Sequence, residues 1–188
     1  MAKKKRIGLW VTVGILGFVV FLLIGSLVFV EVTIRNLDST LDERQVEVVA
    51  AYEARTEAVN KLVSKIKPKM DLDADAFKTL ESAEKLLKDA NDVKSRSEAN
   101  LEVDKAIDNL VFVMLDKYMY LNTPEVIEIE SEIDTARSRI VLATTNFNDV
   151  AKEYNFAVEN FPGNFLSNIF KHTTTETFKI VDYENIVF

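Results

Sequence analysis

The stretch VIEIESEIDTARSRIVLATTNFNDVAKEYNFA, residues 126–157, decides the fold. Its apolar residues recur at alternating steps of three and four, which is the spacing of one face of an α-helix. Ten such positions follow one another without a miss, so this helix must pack against partner helices along most of its length. The positions are Val126, Ile129, Ile133, Ala136, Ile140, Ala143, Phe147, Val150, Tyr154 and Ala157.

Two further stretches carry the same helical spacing. In residues 41–66 and 103–121, apolar residues recur at steps of three, four and seven, which predicts two more long helices with one apolar face each. After residue 30 the chain holds one glycine and three prolines, far fewer turn residues than a β-rich domain needs. The apolar positions are Leu41, Val48, Tyr52, Val59, Leu62 and Ile66 in the first stretch, and Val103, Ile107, Leu110, Met114 and Leu121 in the second.

The segment IGLWVTVGILGFVVFLLIGSLVFV, residues 7–30, carries no charged side chain. As a helix, its 24 residues are about 36 Å long, enough to cross a bilayer core of about 30 Å. The run is longer than the apolar part of a cleavable signal peptide, and no small-residue cleavage site follows it. Residues 3–6 are all basic, whereas residues 31–43 include four acidic residues and one basic residue, so we expect the N-terminus in the cytoplasm and the remaining chain outside it.

A shorter helix is predicted within residues 69–93, KMDLDADAFKTLESAEKLLKDANDV. Carboxylates near its start suit a helix N-terminus, and the pairs Glu81–Lys85 and Glu84–Lys88 are typical of a solvated helical face. Residues 91–100 are the expected link to the next helix. The sequence therefore predicts an all-α fold, with an N-terminal transmembrane helix followed by an antiparallel bundle of three long helices and one shorter helix.

These patterns divide the chain into four predicted segments. They are a basic cytoplasmic N-terminus at 1–6, a transmembrane helix at 7–30, a helical-bundle ectodomain at 31–171 and a C-terminal tail at 172–188. The sequence leaves open whether the transmembrane helix continues into the first bundle helix, because residues 36–40 resemble a helix cap. It also leaves open whether the apolar end of the tail packs on the bundle, contacts the membrane or adds a strand to a partner's sheet.

Composition argues against several kinds of chemistry. Residues 31–188 carry all 30 acidic residues and 19 of the 23 basic ones, a poor match for a phosphate backbone, so no nucleic-acid partner is expected. The chain has no cysteine and therefore no thiolate site. Asp71, Asp73 and Asp75 start like a calcium loop, but Ala76 and Ser82 replace the glycine and glutamate that such a loop needs. The only histidine, His172, is expected in a solvated loop. We predict no catalytic residue, metal or cofactor.

Three polar residues are notable for their helical positions. Arg55 falls on the apolar face of residues 41–66, where a buried arginine needs a carboxylate partner; the alternative is that its guanidinium reaches the rim of the bundle. Asn148 and Asn155 lie seven residues apart and therefore on one face of the last long helix. They form either helix–helix hydrogen bonds or a strip that binds a partner.

The last long helix resembles the LemA family of bacterial membrane-anchored proteins. A weaker likeness covers residues 41–66, and the family pattern is interrupted at Ala54, Asn60 and Arg137. The resemblance implies a membrane-anchored helical bundle without an established catalytic activity, and it suggests Glu132 or Asp134 as the partner of Arg55. The matching residues are Glu132-Ile133-Asp134, Arg139-Ile140, Phe147-Asn148-Asp149, Tyr154-Asn155 and Phe161-Pro162-Gly163.

The resulting functional hypothesis is a non-enzymatic protein that scaffolds or modulates neighbours in the bacterial cell envelope. The resemblance suggests partners among membrane proteins, including membrane peptidases, besides the lipid bilayer itself. The main alternative is an oligomer that shapes or organises membranes, as in a magnetosome branch of the family; a carboxylate-based hydrolase is a remote one. The residues predicted to have a structural or interaction role are Arg55, Glu132, Asp134, Arg139, Asn148, Tyr154 and Asn155.

Overall fold

The structure is a computed structural model that describes residues 2–68, 74–117 and 124–181. These residues form five α-helices and no strand, which confirms the predicted all-α class. Asp71, Asp73 and Leu121 lie outside the described residues, as does the end of the tail beyond residue 181. The helices are α1 (Ala2–Ile66), α2 (Ala74–Asp89), α3 (Val93–Lys117), α4 (Pro124–Glu159) and α5 (Gly163–Phe170).

Helix α1 contains both the apolar segment and the first bundle helix of the prediction. Its helical structure continues through residues 36–40, where the sequence allowed a break. Thr40 there donates its side-chain hydroxyl to the Asn36 carbonyl oxygen at 2.8 Å, a bond that a helix interior accommodates. By length and composition, α1 can cross a membrane. Its apolar side chains are exposed from Trp10 to Phe29.

The connection between α2 and α3 is shorter than predicted. Only residues 90–92 separate the helices, whereas the sequence suggested a link over 91–100. Asp92 explains the early start, because its Oδ1 accepts the backbone N–H of Ser95 at 2.8 Å. Ser95 returns the contact by accepting the Asp92 N–H on its Oγ at 3.2 Å. This reciprocal cap resembles a capping box in which serine takes the place of glutamate or glutamine.

The chain divides into two compact units, and the larger one comprises Leu41–Ala151 and Glu176–Phe188. Its core is apolar and draws on α1, α2, α3 and α4. The apolar faces predicted in residues 41–66 and 103–114 are buried at every apolar position named above. The core residues with the least exposure are Val59, Leu62, Ile66, Val103, Ile107 and Leu110.

Helix α4 departs from its predicted apolar face near its C-terminal end. Phe147 and Tyr154 are buried as expected, but Val150 and Ala157 are only half-buried. The neighbouring positions Ala151 and Val158 are buried in their place. A straight α-helix has 3.6 residues per turn, so a strict seven-residue repeat drifts by about 20° per heptad. That drift accounts for the shift of one residue.

The smaller unit comprises Met1–Thr40 and Lys152–Thr175, and it contains α5, which the sequence analysis did not predict. α5 starts directly after Pro162, where the prediction ended the last helix. Gly163 permits this corner because it packs against the end of α4. A Cβ atom at Gly163 would lie 1.8 Å from the carbonyl oxygen of Ala157. Ser167 adds a hydrogen bond, since its Oγ donates to the Gly163 oxygen at 2.8 Å.

Gly163→Ala should destabilise the smaller unit by about 1–3 kcal/mol, because the added methyl group overlaps a backbone oxygen that cannot move aside without opening the corner. Thermal unfolding of the full chain in detergent, monitored by circular dichroism, measures the effect. Gly25→Ala is the matched control, because a Cβ there meets nothing within 4 Å. Equal melting of the two variants would contradict the packing described here.

Candidate functional site

A cluster of charged side chains lies inside the larger unit. Arg55 of α1 is 0% exposed, and its Nη1 donates to Oδ1 of Asp104 on α3 at 2.7 Å. Arg137 of α4 is also buried; its Nε lies 3.6 Å from the same Asp104 oxygen, and its Nη2 donates to Oδ1 of Asp108 at 2.6 Å. Asn100 completes the cluster by donating its Nδ2 to Asp104 Oδ2 at 3.4 Å. The two arginines are thus balanced by two aspartates.

The structure confirms that Arg55 is buried but corrects its partner. The resemblance suggested Glu132 or Asp134, whereas the carboxylate comes from Asp104. Glu132 is exposed and accepts a hydrogen bond from Lys61 Nζ at 3.3 Å. Asp134 lies 4.0 Å from Arg137 Nη1, and partial burial raises its pKa, an effect that Arg137 opposes. The sequence showed that Arg55 is on the inner face of α1, but it did not show which helix faces it.

Asp104→Asn should cost about 3–5 kcal/mol of unfolding free energy, because it removes the carboxylate that neutralises two buried arginines. Urea unfolding monitored by circular dichroism measures the loss. Glu132→Gln is the control for an ion pair at the surface and should change stability by less than about 1 kcal/mol. The assignment of Asp104 as the central carboxylate fails if the two variants unfold alike.

A groove of about 1070 Å³ runs between α1 and α2 in the larger unit. Glutamates line its α1 side, and lysines, with Glu81 and Glu84, line its α2 side. The Oε1 atom of Glu84 and the Nη1 atom of Arg96 are buried and have no hydrogen-bond partner among the described residues. Sequence reasoning placed Glu84 on a solvated face, but it is half-buried. The lining includes Tyr52, Glu53, Glu57, Lys78, Lys85 and Lys88.

Burial changes the acid–base properties of two residues in this groove. It raises the pKa of Glu84, an effect that the positive charge of Arg55 partly offsets. It also raises the pKa of the Tyr52 hydroxyl, which therefore stays neutral at physiological pH. A carboxylate held in a desolvated position without a partner is costly to the folded chain. The groove therefore has an acidic group that would gain from a hydrogen-bond donor.

Glu84→Gln should raise the melting temperature at pH 7, and the gain should vanish as the pH falls below 4.5. The Glu84 carboxyl has a higher pKa in the folded chain than its ordinary value of 4.5, so its deprotonation lowers stability as the pH rises through the folded value. Below both pKa values the carboxyl is protonated in the folded and in the unfolded chain, so it no longer lowers the stability. Glu53→Gln, on the exposed wall of the same groove, is the control, measured by thermal melting across pH.

The two asparagines of α4 bind the backbone of the C-terminal tail. In the larger unit, Asn148 accepts the Phe178 N–H at 2.7 Å and donates to the Phe178 carbonyl oxygen at 2.8 Å. In the smaller unit, Asn155 accepts the Thr175 N–H at 2.8 Å and donates to the Thr175 carbonyl oxygen at 2.9 Å. Neither predicted role, helix–helix bonding or a strip for a separate partner, describes these contacts. Each amide pairs with an extended chain as a neighbouring β-strand would.

Phe178 anchors the described part of the tail. Its side chain is buried, and its ring meets that of Phe147 edge-to-face with centroids 4.9 Å apart. The Lys179 N–H donates to Oγ of Ser97 on α3 at 3.1 Å. Of the three possibilities that the sequence left open, packing on the helices is therefore the one observed for residues 176–181.

Asn148→Ala should expose the Phe178 amide to solvent exchange. The substitution removes the side-chain oxygen that this N–H meets at 2.7 Å, so hydrogen exchange at Phe178 should quicken while the α4 amides around residue 148 stay protected. Hydrogen–deuterium exchange resolved by NMR provides the measurement. Asn146→Ala, two residues away on the same helix, should leave the exchange rate of the Phe178 amide unchanged. Equal exchange in both variants would refute the protection of this amide by Asn148.

The smaller unit holds two further residues named in the sequence analysis, Tyr154 and His172. Tyr154 is buried, and that burial raises its pKa, as does the negative charge of Asp38. His172 does not lie in a solvated loop: its Nε2 is 3.2 Å from Oε2 of Glu31, and both side chains are largely buried. The pairing was not predictable because 141 residues separate the two along the chain. Among the described residues, no group of three histidine, cysteine, aspartate or glutamate side chains could hold a metal ion.

The comparison with protein families matches this chain to the model of the LemA family over residues 44–187. The chain belongs to the LemA family. The match covers the buried cluster around Asp104, the groove between α1 and α2 and the asparagines that hold the tail. It begins after the apolar segment of α1. No curated protein matches the chain.

Among LemA-family positions, Arg139 is exposed on α4 and lines a second groove of about 700 Å³ in the larger unit. Lys61 of α1 and Glu132 of α4 lie in the same lining and form the surface ion pair already described. The residues that carried the family resemblance therefore separate into three environments. Some are buried in the bundle, some hold the tail, and some line a surface groove.

Proposed function

We propose that this LemA-family protein is a single-pass membrane protein of the bacterial cell envelope. Its helical bundle lies outside the cytoplasm, catalyses no reaction, and binds and positions neighbouring membrane proteins. The observation that carries the proposal is the groove between α1 and α2, where buried polar atoms of Glu84 and Arg96 lack partners among the described residues. Such atoms are costly in an isolated chain and gain hydrogen bonds when a partner covers them.

The apolar segment of α1 supports the membrane part of the proposal. Large apolar side chains from Trp10 to Phe29 are exposed, which is unfavourable in water and favourable in lipid. Basic residues at 3–6 and mainly acidic residues after Val30 favour an N-terminus in the cytoplasm. A bundle that starts just after Val30 would then lie on the far side of the membrane.

The contacts of Asp104 and Asp108 support a role without catalysis. A general acid or base needs a carboxyl group that can change its protonation state beside a substrate. Asp104 is instead buried between Arg55 and Arg137, and Asp108 receives a hydrogen bond from Arg137. Both carboxylates are thus already bound by arginine side chains of the bundle.

The charge pattern of the groove defines the partner chemistry. Glu53 and Glu57 lie on the α1 side, and Lys78, Lys85 and Lys88 lie on the α2 side. An amphipathic helix of a neighbouring protein, with basic residues towards α1 and acidic residues towards α2, would match both walls. A polar donor at its centre would satisfy Glu84. The family resemblance suggests a membrane peptidase as one such neighbour.

Single engineered cysteines test the topology, because the natural chain contains none. A cysteine replacing Lys94 should react with a membrane-impermeant maleimide in intact cells. A cysteine replacing Lys4 should react only after the cells are permeabilised. The reverse pattern would place the bundle in the cytoplasm and contradict the proposal.

Photocrosslinking tests the docking surface. A photoreactive amino acid replacing Ser82 in the groove should crosslink a membrane protein in living cells, and one replacing the exposed Glu102 on α3 should not. The product should disappear when Lys85 and Lys88 are both changed to glutamate, because the electrostatic match is lost. The crosslinked product should persist in Lys94→Glu, which reverses a charge outside the groove lining. This control should not disturb the fold, because a negative charge is favourable near the N-terminus of a helix.

Two outcomes would overturn the proposal. Crosslinking that is insensitive to the Lys85 and Lys88 reversal would show that the groove does not select its partner by charge. A crosslink only between copies of the chain, with ordered arrays or tubules in vesicles, would favour the membrane-shaping alternative instead.

A further inference from the structure

Helix α5 has one buried face and one exposed apolar face. Its buried residues are Gly163, Leu166 and Ser167. On the other side, Phe165 is 53% exposed and Ile169 is 55% exposed. The two are four residues apart in one helix and therefore neighbours on its surface, so we refer to them as the α5 ridge. Phe161, two residues before the helix, is 81% exposed as well. Large apolar side chains in water are unfavourable.

The position of α5 in the smaller unit suggests what covers the ridge. A Cβ atom at Gly163 would lie 3.4 Å from Ile34 Cδ1, so the start of α5 packs beside that part of α1. Beyond the ridge, the Arg35 guanidinium lies 5.7 Å from the centroid of the Phe170 ring. Just past the C-terminus of α5, His172 contacts Glu31. Both ends of α5 are therefore placed against residues 31–35 of α1.

These residues follow the apolar segment directly. At about 1.5 Å per residue, residues 31–35 lie within about 8 Å of the end of that segment along the helix axis. Lipid headgroups occupy a layer of about 5–8 Å on each side of the hydrocarbon core. When α1 spans a bilayer, α5 lies at the depth of the headgroups.

We infer that α5 is an interfacial membrane helix whose ridge inserts at the boundary between lipid headgroups and acyl chains. This inference rests on the proposed membrane anchoring of α1. Amphipathic helices bind this boundary with aromatic and aliphatic side chains in the lipid. Lys171 follows α5 directly and provides positive charge for lipid phosphates, whereas Arg35 is already paired with Glu31 at 2.7 Å. The bundle thus has a second attachment to the membrane besides α1.

A bilayer fits the ridge better than another protein does. A stable protein–protein interface buries roughly 1,200–2,000 Å² in total, more than a ridge of two side chains on an eight-residue helix provides. A membrane surface needs no shape-complementary partner and is already present at this depth through α1.

Spin labels in the full chain test the inference. Single cysteines at 165 and 169 carry a nitroxide in vesicles of phosphatidylcholine and phosphatidylglycerol. Both labels should collide more with oxygen, which concentrates in lipid, than with a water-soluble nickel complex. A label at Phe112, which is 67% exposed on α3 in the larger unit, should show the opposite preference.

Trp10 separates failure of this inference from failure of the anchor, because it is the only tryptophan. Brominated lipids should quench its fluorescence when α1 is inserted. If Trp10 is quenched but the labels at 165 and 169 behave like the label at 112, the interfacial helix is refuted and the anchor stands. If both labels avoid both reagents and show strong spin–spin broadening, a second copy covers the ridge and the inference is also refuted. Unquenched Trp10 would overturn the anchor and the inference together.

Discussion

The larger unit depends on one buried carboxylate. Asp104 lies on α3, and it neutralises Arg55 from α1 while lying near Arg137 from α4. A buried arginine without a carboxylate is far more costly than a missing apolar contact, so the three helices must bring these groups together. Apolar faces can slide past one another by a turn at moderate cost, but this cluster cannot. We therefore regard it as the feature that fixes the register of α1, α3 and α4, with the apolar core supplying most of the stabilisation.

The same cluster shows how far the sequence could be interpreted. Periodicity identified the inner face of each long helix, because the spacing of apolar residues within one helix is enough to show which face is buried. It placed Arg55 on the inner face of α1 for the same reason, but left open whether its guanidinium is buried or reaches the rim of the bundle. The partner is a property of two helices, and nothing in the spacing of α1 points to residue 104. A signal was present in Asp104 and Asp108, two carboxylates four residues apart and each next to a buried apolar residue of α3, Val103 or Ile107, but a single sequence cannot match them to arginines elsewhere.

Other differences have equally local causes. The drift of the buried positions at Ala151 and Val158 follows from the 3.6-residue turn, which a seven-residue repeat ignores over several heptads. Helix α5 was missed because the pair Pro162-Gly163 is typical of the end of a helix. Here the proline precedes the helix and the glycine is its first residue, where the absence of a side chain allows close packing against Ala157. His172 was judged by its threonine neighbours, whereas its environment is set by Glu31, far away in the chain.

The polar groups of this protein fall into two sets, those engaged within the fold and those that line a surface groove. Arg55, Asp104 and Asp108 are engaged inside the bundle, and Asn148 and Asn155 are engaged by the tail. These groups use most of their hydrogen-bonding capacity within the fold, although Arg55 Nε and Nη2 are buried without a partner among the described residues. Glu84 and Arg96 differ in position, because their buried atoms without such a partner belong to residues that line the groove between α1 and α2. The family pattern draws on both kinds of position, because Asn148 and Asn155 hold the tail, whereas Glu132 and Arg139 line a surface groove. Membership of the LemA family therefore follows the fold, and the partner that we propose would be selected by the charges of the groove between α1 and α2.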